Sequence, residues 1–154
     1  SWIEFMKGTN ITSVKKKFPG VIFMVAVGGW YNGVQPFIKF TDHKENQKIF
    51  AQTALDFVKK HNFDGLELCW LYPTKRGGYI SDRKTFVELL KAKNNLLFSV
   101  LISGAYTTIS SGYNVPEIFK NVDFVDIISY DYNGLWSDKI APNAPLYSND
   151  QNNV

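Results

Sequence analysis

Glu67, Cys69 and Leu71 stand at alternate positions in the stretch Phe63-Asp64-Gly65-Leu66-Glu67-Leu68-Cys69-Trp70-Leu71-Tyr72-Pro73. The stretch follows a helical pattern and opens at Asp64-Gly65, which reads as a short buried strand. Side chains alternate across a strand, so Glu67, Cys69 and Leu71 share one face. Leu66, Leu68 and Trp70 share the other, a surface suited to packing under helices. A carboxylate, a thiol and a leucine in line offer little chemistry. Cys69 would need a basic partner or a second soft ligand to act as a nucleophile or hold a metal, and neither His43 nor His61 falls at a strand end. It reads as a small buried hydrophobe, and no metal or cofactor is expected. Trp30, Tyr72, Tyr130 and Trp136 offer large apolar faces with polar edges, which suit amphipathic rings such as pyranoses. Packing competes as their role, most strongly for Tyr72 beside Pro73. Asp131 would orient Tyr130, bind a ligand directly or serve as an ordinary loop residue.

The elements that position these residues follow in order. Ile11 to Phe18 reads as a short helix ended by Pro19-Gly20, with Lys15-Lys16-Lys17 as its solvated, dipole-favoured end. Val21 to Val27 is an apolar run expected to be a strand buried on both faces, turning at Gly28-Gly29-Trp30. Asp42 with Glu45 suggests a capping box for a helix to about Lys60, with Phe50, Ala54, Phe57 and Val58 facing the core. His61 caps its end, Asn62 is a fair C-cap residue, and His43 sits exposed in the first turn. Ser81 or Asp82 opens a helix to about Ala92 with the stripe Phe86, Leu89, Leu90. Leu96 to Ile102 is a strand, Tyr106 to Asn114 a polar loop, Val115-Pro116 the start of a short helix, and Phe124 to Tyr130 a fourth strand. Strand and helix alternate, which argues for parallel βα units. No internal repeat is legible beyond that alternation.

An eight-stranded barrel of such units takes about 250 residues, and the chain has 154. The net charge of +3 is a mild excess, with a nucleic-acid patch at Lys15-Lys16-Lys17 only a weak alternative to a solvated helix end, and no apolar run reaches membrane-spanning length. One cysteine excludes an internal disulfide. No signal-peptide pattern opens the chain. Asn10-Ile11-Thr12 is a glycosylation sequon, meaningful only in a secreted protein.

Asp64, Gly65, Trp70, Tyr72 and Pro73 keep the frame of Asp-Gly-x-Asp-x-Asp-Trp-Glu followed by Tyr-Pro. In this the stretch resembles the fourth barrel strand of family-eighteen glycoside hydrolases, the chitinases and their inactive relatives. Val25-Ala26-Val27-Gly28-Gly29-Trp30 is similar to that family's third-strand motif, and Ile128-Ser129-Tyr130-Asp131 to its sixth-strand Met-x-Tyr-Asp. Ser111-Gly112-Tyr113-Asn114-Val115-Pro116 and Asn143-Ala144-Pro145-Leu146-Tyr147 also match family stretches. The likeness runs collinearly over roughly residues 10 to 147.

The resemblance implies an α/β fold, a partial TIM (β/α)8 barrel holding about strands three to six with their helices. Residues 1–154 would be one incomplete chitinase-like barrel domain, with 147–154 the start of a truncated insertion or tail. Sites in such barrels lie at the C-terminal strand ends. In the family the substrate's acetamido oxygen attacks the anomeric carbon. A Glu protonates the leaving oxygen, an Asp orients the acetamide and a Tyr hydroxyl helps hold it. Here Leu71 replaces that Glu, Cys69 that Asp, and Glu67 the first inward Asp; Tyr130 alone matches. Glu67 does not reach the acid's place, since four residues of strand span about 13 Å. It reads as a structural carboxylate hydrogen-bonded inside the barrel. The expectation is a non-catalytic chitinase-like protein with no catalytic residue, binding chitin or chitooligosaccharides through Trp30, Tyr130, Asp131 and Trp136. A structural fragment without a ligand, or a hydrolase using other residues, are the alternatives. The resemblance also implies an extracellular protein, with neither nucleic acid nor membrane as partner. The chain alone is expected to self-associate, because an unclosed sheet leaves two edges open and inward Val, Ile and Leu facing water.

Overall fold

The computed structural model describes residues 11–92, 95–138 and 140–147. The sequon at Asn10, the featureless first residues and the expected tail beyond Tyr147 lie outside them. Along the chain come α1 (Ile11–Lys17), β1 (Met24–Gly28), a 3-10 turn (Trp30–Asn32), α2 (Gln35–Thr41), α3 (Lys44–Lys60) and β2 (Gly65–Cys69). Then follow α4 (Asp82–Lys91), β3 (Leu97–Ser103), α5 (Tyr106–Gly112), α6 (Val115–Phe119) and β4 (Phe124–Ile128). The four strands form one sheet in the order β1-β2-β3-β4, every pair parallel. Consecutive parallel neighbours joined through helices are the units the alternation implied.

One face of the sheet carries the core. Leu66, Leu68 and Trp70 from β2 and the residue after it meet Phe98, Val100 and Ile102 from β3, with Phe37 from α2 and Phe86, Leu89 and Leu90 from α4. Trp70 lies flat on Phe37, centroids 5.1 Å apart, and takes the edge of Phe86 at 5.7 Å. The opposite, inward face holds Ala26, Glu67, Cys69, Ser99, Leu101, Ser103 and Asp126, by strand register and alternation. That corrects the expected inward wall of Val, Ile and Leu: small and polar side chains outnumber branched apolar ones there.

Two aspartates tie strand starts together. Asp64 donates its N–H to Phe23 O and accepts the Phe23 N–H on Oδ2, each at 2.8 Å. Asp123 repeats the device on Phe98, donating to its carbonyl at 2.8 Å and accepting its N–H at 2.7 Å. Asn62-Phe63-Asp64 and Asn121-Val122-Asp123 therefore form a short internal repeat that the sequence reading overlooked. Asp64 also accepts Lys15 Nζ at 2.5 Å, so the Lys15-Lys16-Lys17 run is not purely solvated.

Several boundaries differ from expectation. The strand expected from Val21 begins only at Met24, and it is not buried on both faces: Val21, Ile22 and Ala26 are exposed. The clamp on Phe23 holds the preceding residues as an entry segment. Asp42 does not cap α3; it ends α2, and the N-cap of α3 is His43, with no side-chain cap bond. His61 occupies the C-cap of α3 and Asn62 takes a left-handed φ of 58° just beyond. Ser81 is the N-cap of α4 without a side-chain bond, while the Asp82 carboxylate accepts the Tyr79 N–H at 2.7 Å. Tyr106–Gly112, expected as a loop, is helix α5. Its hydroxyls turn back onto its own carbonyls, Ser111 Oγ donating to Thr107 O at 2.8 Å, so polar composition hid a helix. β4 closes at Ile128 rather than Tyr130.

Candidate functional site

The C-terminal ends of the strands gather at one rim of the sheet. After β1 the chain must turn at once, and Gly28 permits it: φ is +111°, and a Cβ there would collide with Cys69 O and the Phe37 ring. Gly29 N–H donates to Cys69 O at 2.8 Å, which fixes the departure of β1 against the end of β2. Trp30 follows in the 3-10 turn and is 53% exposed. After β2, Trp70 turns to the helix-covered core, Leu71 is buried, and the peptide between Leu71 and Tyr72 is cis. Tyr72 is half-buried and meets the Trp30 indole edge-on, centroids 6.3 Å apart.

Arg76 completes this group. Its guanidinium lies over the Trp30 ring, 3.8 Å from the centroid, and Nη1 donates to Trp30 O and Leu71 O at 3.0 and 2.9 Å. Its φ of 56° is left-handed, at a cost of roughly 1–2 kcal/mol for a residue with a Cβ. The Tyr72 phenol is pushed above its ordinary value by burial, with Arg76 opposing and Tyr130 and Asp131 adding to the rise; it also hydrogen-bonds Ser103 at the end of β3. Tyr72 thus touches Trp30 directly and lies near enough to Tyr130 and Asp131 to feel their charge. Tyr130 is about half exposed. Asp131 has a φ of 57°, and Asn143 holds it twice: Nδ2 donates to Asp131 Oδ1 at 3.0 Å and Oδ1 accepts the Asp131 N–H at 3.3 Å. Trp136 stays apart. It is exposed and its ring folds over Gly134, where any Cβ would collide with it.

Deeper on the inward face lies a carboxyl pair. Glu67 is pushed up to about 6, first by burial and then by its hydrogen bond to Asp126. Burial and the neighbouring Asp126 carboxylate both disfavour the charged form of Glu67. Cys69 Sγ donates to Glu67 Oε2 at 3.4 Å, and burial pushes the thiol up to about 12, Glu67 adding to the rise. A thiol held that high is protonated at neutral pH and is a poor nucleophile. Among the described residues no group of acidic, histidine or cysteine side chains is arranged to hold a metal ion.

Asp126 and Arg76 were not found from sequence; Ser103, at a strand end, and Asn143, in a family-like stretch, were given no role there. Asp126 left a signal, a lone charge inside an apolar strand. Arg76 left none, because its reach depends on the left-handed loop that carries it.

The family model described as Glycosyl hydrolases family 18 matches residues 2–154. The chain belongs to that family. It is 34% identical over 148 residues to the endochitinase of Manduca sexta, covering 90% of this chain and 27% of that protein. The crystal structure of Ostrinia furnacalis Group IV chitinase superposes with a TM-score of 0.87 at 33% identity, over 95% of this chain and 42% of that one. Catalytic domain 2 of Ostrinia furnacalis Group II chitinase superposes with a TM-score of 0.81 at 31% identity, over 92% of this chain and 39% of that one. That structure is of a glutamate-to-leucine variant in complex with (NAG)5. The chain therefore spans well under half the length of these relatives and covers part of the family's barrel.

Proposed function

We propose that this chain is part of a chitinase-like protein that binds chitin or N-acetylglucosamine oligosaccharides at the strand-end rim without hydrolysing them. The observation that carries the reading is Leu71, buried at the end of β2 with its carbonyl taken by Arg76. At that place the family resemblance puts the proton donor. A leucine has no proton to give, and a neutral thiol at Cys69 does not orient an acetamide as a carboxylate would. Glu67 is committed to Asp126 and Cys69.

Binding does not need the acid. Trp30 offers an exposed indole, Tyr130 a phenol and Asp131 a carboxylate fixed by Asn143, all toward one rim. A glutamate-to-leucine variant of a related chitinase domain crystallised with an oligosaccharide supports the compatibility of such a change with binding. Trp136, exposed and apart from that group, would meet only a ligand that extends beyond it. The family membership suits an extracellular protein, and the ligand class is a polysaccharide met outside the cell.

The test uses the whole protein. A chitin-bead pull-down should retain it, while a fluorogenic chitooligosaccharide should release nothing. Trp30→Ala should weaken binding by roughly 1–3 kcal/mol, as truncation of a stacking aromatic does elsewhere. Retention on beads with measurable hydrolysis would make it an enzyme, and no retention would leave a structural role.

A further inference from the structure

Trp30 sits on an exposed turn, where an indole is ordinarily free to change rotamer. Here it is not left free. The Arg76 guanidinium covers one face at 3.8 Å, and Tyr72 abuts the ring edge-on at 6.3 Å. The same guanidinium bonds the carbonyls of Trp30 and Leu71, so one planar group joins the chain after β1 to the chain after β2. The loop is bent to achieve this: Thr74, Arg76 and Gly77 all have positive φ, at 68°, 56° and 90°. Roughly half of the indole is still open to solvent.

We propose that Arg76 is a positioning residue that holds Trp30 as a single-faced platform, one face occupied by the guanidinium and the other kept for a pyranose ring of the ligand. The assignment rests on the carbohydrate-binding reading and adds the device that prepares the site for it. Ordering a side chain on binding costs affinity, and an indole already fixed has that cost removed beforehand. A guanidinium suits the task because its central carbon lies over the ring while one of its nitrogens, Nη1, reaches both carbonyls. A lysine ammonium, compact and strongly hydrated, does not reproduce that geometry. With one face closed, the platform accepts a single ring and does not slip between two.

The test titrates penta-N-acetylchitopentaose into the whole protein by calorimetry and reads indole emission of the unliganded protein. Arg76→Met should weaken binding by about threefold to tenfold, the range of a cation–π contact. The binding entropy should become less favourable. Arg76→Lys should recover only part of the affinity. In a Trp30→Ala background, Arg76→Met should cost nothing further. The unliganded emission should shift in Arg76→Met but not when Trp30→Phe is also present, which isolates the effect from the other tryptophans. Wild-type affinity and emission in Arg76→Met would overturn the assignment. So would an equal loss of affinity with Trp30 absent, which would place the action of Arg76 elsewhere. Unchanged affinity in Trp30→Ala would overturn the carbohydrate platform itself, and the emission shift would then show the clamp standing without that role.

Discussion

At the scale of single residues, the missing chemistry is a two-part loss. General acid catalysis is commonly worth about 10²–10⁴-fold, and groups acting as a unit are strongly non-additive when removed. The same logic runs in reverse. Leu71→Glu alone should restore little turnover of a fluorogenic chitooligosaccharide, and Cys69→Asp alone should be silent. The double change should give the first measurable release, and adding Glu67→Asp should raise it by relieving the inward row of one methylene. Activity from Leu71→Glu alone would contradict this account.

The Glu67–Asp126 pair makes a second residue-level prediction. Glu67 titrates at about 6 when folded, above its ordinary 4.5. The folded state thus holds more protons than the unfolded state between those values. Stability from this group is fully present below pH 4.5 and is lost as pH rises through about 6. Urea midpoints should fall across that window in the wild type and flatten in Glu67→Gln. Asp126→Asn should also shallow the slope, because the like charge that helps raise Glu67 is gone. Both halves of this pair face inward, yet only Glu67 was visible in the sequence as a structural carboxylate. The partner lies two strands away, across β3, and the lone charge in Phe124–Ile128 does not by itself say which carboxylate it faces.

Elements were legible wherever burial imposed a period. The stripe Phe86, Leu89 and Leu90 gave α4, and short, mostly apolar segments gave β2, β3 and β4, whose alternate residues face the core. Misreadings fell where polar residues satisfy backbone groups. α5 carries Ser110 and Ser111 hydroxyls bonded to its own carbonyls, so its composition imitates a loop. α2 was passed over although Gln35-Pro36 opens it and Phe37 is fully buried; seven residues were too few to show a period. A prediction belongs here. Gly28→Ala places a Cβ against Cys69 O and Phe37 at a φ of +111°. It should destabilise by more than about 1 kcal/mol in urea titration and loosen the Trp30 turn that begins two residues later. A neutral outcome would mean that the β1 exit is not fixed by this close approach.

For the molecule as a whole, the sheet has a covered face and an open one. α3 and α4 pack on one side, and β1 and β4 are edges among the described residues. Ile127 on the helix-facing side of β4 is 54% exposed and Phe124 is 41% exposed. A groove lined by Phe40, Ile49, Phe50 and Phe57 also opens beside α3. Residues 1–154 expressed alone should therefore associate into oligomers or aggregates through edges and apolar surface. Sedimentation should show this, and a monodisperse monomer with a sharp cooperative melt would contradict it. The family resemblance foresaw the incomplete barrel. It did not foresee that the inward face is polar enough to make the edges, more than the interior, the adhesive part.

The aspartate clamps act far from the rim, yet they set its layout by counting. Leu71 and Tyr130 each lie seven residues beyond their clamp, Asp64 and Asp123. Each clamp works as a surveyor's datum: it phases its strand against the preceding one, and heights at the far end are measured from it. A one-residue deletion anywhere between Asp64 and Leu71 would leave the clamp, the helices and the composition nearly intact. It would nonetheless exchange the faces of every side chain beyond the gap, turning Trp70 toward the rim and Leu71 into the core. The rim's geometry is thus inherited from the opposite end of the sheet, and changes in strand length will reach it more severely than most substitutions made within it.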